Sequence, residues 1–228
     1  MTGGPVAQMA MGAFTGGAIA ELTGGNFVEG FATGLTVSAL NHALHSIAIE
    51  IQKSKYSITG IFGAGPEGTE GNADLNRYIK RRGGTMFTST AGEGDSEIID
   101  HILNEYNDGK MIKIFGYSRG AVAAVRISNS LKIPIVELNL YDPVILGGQL
   151  TLTGNHVRVV NNYYQRNNTD LSRVLNGKYP TNPFKGSPLQ YNEKYGSTII
   201  NNVNYTGHYY RDGSLVNHNN IIKHIFGL

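Results

Sequence analysis

The chain is 228 residues long, 40% hydrophobic and 16% charged, with a formal net charge of +2. That balance fits one α/β core with an appendage and excludes a polyelectrolyte or a long disordered tail. Electrostatic capture of nucleic acid goes with them, because the densest basic run, 80-KRR-82, is too short to follow a phosphate backbone. The absence of cysteine removes disulfides, zinc–cysteine sites and a thiol nucleophile. The N-terminus lacks the basic region of a signal peptide, and no apolar run reaches the roughly 18 residues of a spanning helix. Export would therefore need another carrier.

Composition changes near residue 50, dividing a Gly/Ala-rich helical segment, 1–50, from a catalytic-type α/β region, 55–228. In the first, Gly-Gly pairs mark turns around helices predicted over 6–22 and 26–48. Gly12 with Gly16 and Gly30 with Gly34 have the small-xxx-small spacing that lets helices approach closely. The wording 24-GGNFVEGFATG-34 followed by 38-SALNH-42 resembles the stretch that precedes the toxin domain of Rhs-type polymorphic toxins. That resemblance implies a piece of a longer secreted effector, with an Rhs shell or secretion-spike protein and a cognate immunity protein as partners. It is silent on the chemistry that follows.

From residue 56 the pattern alternates. Strands are predicted at 58–62, 85–89, 111–117, 134–140 and 156–160, and helices at 72–82, 96–107 and 120–131. Asn72 and Asp95 or Ser96 read as N-caps, Gly83 and Gly109 as stops. This order predicts a mostly parallel sheet with helices on both faces and ligands at the carboxyl ends of its strands. Residues 163–197 show no period and read as a lid, a binding loop or missed elements. The run 198–205 returns to a sheet edge, and 214–228 ends in a short helix.

Gly116-Tyr117-Ser118-Arg119-Gly120 matches G-x-S-x-G and closes a predicted strand as it opens a predicted helix. Such a corner strains the nucleophile's backbone and requires Gly116 and Gly120 because strand and helix nearly touch. Ser118 Oγ is expected to stand exposed, with the Arg119 N–H and donors at Gly63 and Ala64, in 60-GIFGAGPEG-68, forming an oxyanion hole. A serine needs a base and an acid to orient it. Asp142 in 141-YDPV-144 and His218 give the chain order Ser, Asp, His, with Asp170, Asp212, His208 and His224 as runners-up. No histidine pair has the spacing and glutamate of a zinc protease, so neither metal nor cofactor is expected.

With these residues, 55–228 resembles the α/β-hydrolase superfamily. The elbow 116-GYSRGA-121 is similar to that of lipase effectors delivered by type VI secretion, and 141-YDPV-144, 160-VNNYYQ-165 and 218-HNNI-221 resemble a set found in small bacterial serine hydrolases. Many hydrolases carry the acid one strand later than Asp142. The resemblance implies a lipase- or phospholipase-like enzyme, delivered into a target cell and acting on ester or phospholipid substrates at its membrane. Amides or a housekeeping ester are the competing substrates, and a non-catalytic binding module the competing class. The tyrosines and phenylalanine at 163, 164, 179, 184, 191 and 195 suit either a lipid-facing cover or surface packing.

Overall fold

The structure is a computed structural model that describes residues 5–89, 91–145, 147–167, 185–191 and 198–227. It divides into two compact units, Met1–Gln52 and Lys53–Leu228. Asp170, Tyr179, Phe184 and Tyr195 lie outside the described residues.

In the first unit, α1 (Pro5–Leu22) and α2 (Phe27–Lys55) flank a turn at Gly24, whose φ is 80°. Asn26 Oδ1 accepts the Val28 N–H at 2.8 Å and starts α2. The two helices meet through glycine. A Cβ on Gly16 would lie 2.4 Å from the Gly30 carbonyl oxygen, and one on Gly30 2.4 Å from Ala20 Cβ. α2 runs past the predicted end at 48 because 49-IEIQKSK-55 holds neither glycine nor proline to stop it. Among the described residues, no helix is long and apolar enough to cross a membrane.

In the second unit, strands β1 (Tyr56–Ile61), β2 (Thr85–Phe87), β3 (Met111–Tyr117), β4 (Ile135–Tyr141), β6 (Val157–Tyr164) and β8 (Ile199–Asn204) form one sheet in the order β2-β1-β3-β4-β6-β8. Every neighbouring pair is parallel. Helices α3 (Glu70–Arg81), α4 (Asp95–Asn107), α5 (Arg119–Ser130) and α6 (Ile221–Phe226) flank it. The period of two along the strands builds a core on each face. Ile112 and Ile114 of β3 point to the cluster filled by Ile98 and Ile102 of α4 and the alanines of α5. Phe115 and Tyr117 point oppositely, to Leu75 and Ile79 of α3 and Ile221 and Ile222 of α6.

Two features depart from expectation. Thr69 and Gly94, rather than Asn72 and Asp95 or Ser96, occupy the N-cap positions of α3 and α4. A second sheet pairs β5 (Leu150–Leu152) with β7 (Leu189–Tyr191), so the stretch 163–197 contains a strand too short to show a period. β8 takes the sheet edge, as expected of 198–205, and asparagines in register bridge it to the neighbouring strands. Asn201 Nδ2 donates to Asn161 Oδ1 at 2.9 Å, and Asn161 Nδ2 to Asn139 Oδ1 at 3.0 Å. Gly83 and Gly109, with φ of 74° and 84°, follow the ends of α3 and α4 as expected.

Candidate active site

The strand order reverses between β1 and β3, since β2 lies on one side of β1 while β4, β6 and β8 extend beyond β3. The crevice at the carboxyl ends of β1 and β3 is thus the switch point where open α/β sheets bind ligands. Ser118 follows β3, and Phe62 and Gly63 follow β1.

Ser118 sits at φ 55° and ψ −120°, a backbone conformation rarely taken by a residue with a Cβ. Its N–H donates to the Tyr141 carbonyl at 2.8 Å, and its own carbonyl accepts from Val144 at 3.3 Å, which ties the corner to the segment carrying Asp142. The flanking glycines are sterically required. A Cβ on Gly116 would lie 2.5 Å from the Gly120 oxygen, and one on Gly120 2.3 Å from the oxygens of both Ile61 and Phe62. Asp142 is also left-handed, at φ 47°, and Ala91 at 52° completes the set of such non-glycine residues among the described ones. All three lie in connections that follow strands of the large sheet.

His218 Nδ1 and Asp142 Oδ2 are 2.6 Å apart. A carboxylate there accepts, so Nδ1 carries the hydrogen and Nε2 is the basic nitrogen of the neutral ring. The pair is buried: Asp142 is 0% and His218 4% exposed. Gln165 completes the carboxylate's surroundings, its N–H donating to Oδ1 at 2.9 Å and its Nε2 to Oδ2 at 2.7 Å. The Gly186 backbone presses against the same group, where a Cβ would lie 1.9 Å from Oδ1.

Tyr117 fixes the other side of the histidine. Its ring stacks on His218 with centroids 4.9 Å apart, and its hydroxyl donates to the His218 carbonyl at 2.8 Å. Burial, and then the charge of Asp142, raise its pKa well above the ordinary tyrosine value, so the hydroxyl remains a donor. Asn167 holds the segment before His218: Nδ2 donates to the Val216 carbonyl at 2.6 Å, and Oδ1 accepts the Gly207 N–H at 2.9 Å.

The structure thus brings Asp142 and His218 together and ties Ser118 to the same sheet edge. Ser118 itself is 5% exposed rather than open, because β1, β4 and their following segments close around the corner. Gly63 differs from its expected role. Its N–H donates to Asn72 Oδ1 at 2.8 Å, and its contribution is space, since a Cβ would lie 2.8 Å from Ser118 Cβ. Asn72, expected as a cap, instead braces this loop from the first turn of α3 and also donates to the Pro66 carbonyl at 3.1 Å. The N–H groups of Ala64 and Arg119 meet no acceptor among the described residues.

The described runners-up serve elsewhere. Asp212 accepts from Ser214 in an exposed turn, His208 is exposed, and His224 packs between the rings of Tyr205 and Tyr210. Burial and then His208 hold the His224 pKa below the ordinary histidine value. Sequence reasoning gave no role to Gln165, Asn167, Tyr117 or Gly186. The resemblances in 116-GYSRGA-121 and 160-VNNYYQ-165 touched only two of them, Tyr117 and Gln165. Among the described residues no cluster of three His, Asp or Glu is arranged to hold a metal. Comparison with known family models, with curated proteins and with solved structures finds no match to this chain.

Proposed function

We propose that the Lys53–Leu228 unit is a serine hydrolase of α/β-hydrolase type that cleaves carboxylic esters, those of lipids foremost. The observation that carries this reading is the buried Asp142–His218 pair at 2.6 Å, on the same sheet edge as a serine held at φ 55°. A structural turn needs neither a strained serine nor a fully buried carboxylate aligned on an imidazole.

In the reaction, Ser118 Oγ attacks the ester carbonyl carbon and His218 takes its proton. Asp142 holds the ring and stabilises the imidazolium that forms. The N–H groups of Arg119 and Ala64 receive the negative oxygen, helped by the positive end of α5. The tetrahedral adduct expels the alcohol, which leaves with the proton from His218. Water, deprotonated by the same histidine, then releases the acid and restores Ser118. No metal or cofactor enters these steps.

The wording of residues 24–42 supports a setting in bacterial competition. There the chain is the toxin end of an Rhs-type protein, carried by a shell or spike, neutralised by an immunity protein and active on a target cell's membrane lipid.

The test is fatty-acid release from mixed phospholipid vesicles by the purified chain beside Ser118→Ala, with fluorophosphonate labelling in parallel. Release and labelling that both vanish in the variant are expected. A wild-type chain that neither labels nor releases acid would overturn the hydrolase reading, whereas labelling without release would overturn only the lipid substrate.

A further inference from the structure

A second cavity opens one residue from the nucleophile. It encloses about 300 Å³, at the small end of the range for ligand sites, between the loop after β2, the outer face of α5 and the segment after Asp142. Val122, Val144 and Ile145 give it an apolar wall, and Arg119 and Arg126 stand on the same side, one and eight residues past Ser118. The two arginines differ in what they meet. Arg126 is neutralised, its guanidinium donating to Asp95 at 2.6 and 2.9 Å and to Ser89 at 3.0 Å. Arg119 makes no ion pair or side-chain hydrogen bond among the described residues.

Its position makes that absence informative. Arg119 is the first residue of α5, where the helix already presents a partial positive charge, and the first turn holds no acidic residue to offset it. A cation there works against the helix. Ala91, the strained residue of the loop after β2, lines the same cavity, so the loop is held in a conformation its sequence does not favour. An unpaired cation lining a mixed polar and apolar space beside Ser118 is chemistry for binding an anion.

We infer that the Arg119 side chain recognises an anionic group on the substrate, separated by a short apolar linkage from the ester that Ser118 attacks. The inference rests on the hydrolase reading and narrows it to charged esters: a phosphodiester lipid, or a soluble ester bearing a carboxylate or phosphate. The residue then has two separate parts, its N–H toward the oxyanion and its guanidinium toward the anion.

The test compares kcat/KM for two matched pairs, nitrophenyl butyrate with its ring-carboxylated analogue, and dihexanoylglycerol with dihexanoylphosphatidylglycerol, in the wild-type chain, Arg119→Gln and Arg119→Lys. The expected result is a fall of about tenfold to a hundredfold in the ratio of anionic to neutral ester in Arg119→Gln, the loss of one charge-assisted hydrogen bond. Arg119→Lys recovers part of it, and keeps the test open if the glutamine variant does not fold. A shift in both pairs assigns anion recognition in general, and a shift in the lipid pair alone assigns the phosphodiester. Ratios that stay at the wild-type value, with Ser118 still labelled by a fluorophosphonate, overturn this inference alone. A wild-type chain that takes no label overturns it together with the hydrolase reading.

Discussion

Removing the Gln165 side chain tests whether the Asp142–His218 pair depends on its support. In Gln165→Ala the carboxylate loses the donor at 2.7 Å, and the Asn167 N–H, which donates to Gln165 Oε1 at 2.7 Å, is orphaned in a buried place. A hydrogen bond to a charged group contributes about 1.5–3 kcal/mol, and an unsatisfied buried amide costs about 1–3 kcal/mol. The two together give roughly 2.5–6 kcal/mol, or a fall in Tm of roughly 5–24 °C for a unit of this size. If the first part acts through the orientation of His218, Ser118 labelling slows by about tenfold to a hundredfold, at 1.36 kcal/mol per decade.

Gln165→Glu separates positioning from packing. It keeps the shape and the acceptor for Asn167 but turns a second carboxylate toward Asp142. Two carboxylates in one buried site share a proton, so the pKa of one is raised in the folded state. The sign follows: the stabilising proton is bound at low pH and lost as pH rises through the raised value, so this variant loses both Tm and labelling rate on the alkaline side. Labelling rates and melting curves across roughly pH 5 to 9 read both effects. A Gln165→Ala chain with wild-type rate and Tm, or a Gln165→Glu chain with the wild-type pH profile, refutes the reasoning.

Tyr117→Phe keeps the ring against His218 and removes the hydroxyl that donates to its carbonyl; about 1–2 kcal/mol of stability and about tenfold in labelling rate are expected to go, checked by melting and probe kinetics. Asp95 titrates below the ordinary carboxylate range: burial would raise its pKa, but hydrogen bonds from Arg126 and Ser89 and the charge of Arg126 outweigh it. Its stabilising contribution is present above the unfolded pKa and is lost as pH falls through the depressed one. With the arginine side chain 42% exposed, Arg126→Met should cost about 1 kcal/mol at neutral pH and remove that acid-sensitive part, measured by urea unfolding at neutral and acid pH.

What could be read from the sequence was what short-range sterics dictate. A serine between glycines at a strand-to-helix corner declares itself because both glycines answer to atoms a few residues away, or to the strand beside them. Asp142 and His218 were reachable through chain order and through Pro143 and the last helix as punctuation. Gln165 and Asn167 were not, since the partners that tie them to the site, Asp142 and the Val216 carbonyl, lie 23 and 49 residues away and an amide carries no pattern of its own. Tyr117 was visible only as the unspecified residue of a motif, although its hydroxyl reaches a partner 101 residues on. Asn72 was misread because its type suits an N-cap, while the Gly63 N–H nine residues earlier competes for the same oxygen. β5 and β7 are three residues each, below the length at which alternation can register.

The place of Asp142 can be understood from the same contacts. β4 lies directly beside β3, so a carboxylate at its end is tied to the Ser118 corner by the Ser118–Tyr141 and Val144–Ser118 backbone bonds. The next strand in the sheet, β6, ends at Tyr164, and its first following residue is Gln165. That is the position one strand later at which, by the resemblance, many hydrolases carry their acid. In this chain it holds an amide whose Nε2 and backbone N–H both point at Asp142, and whose Oε1 restrains the residue that grips the His218 segment. The two strand ends have divided the work: β4 supplies the charge, and β6 supplies the neutral donors that hold it. A buried carboxylate with three donors needs no second charge nearby. The arrangement also makes Gln165 the residue through which a disturbance of the segment after β6 would reach the histidine.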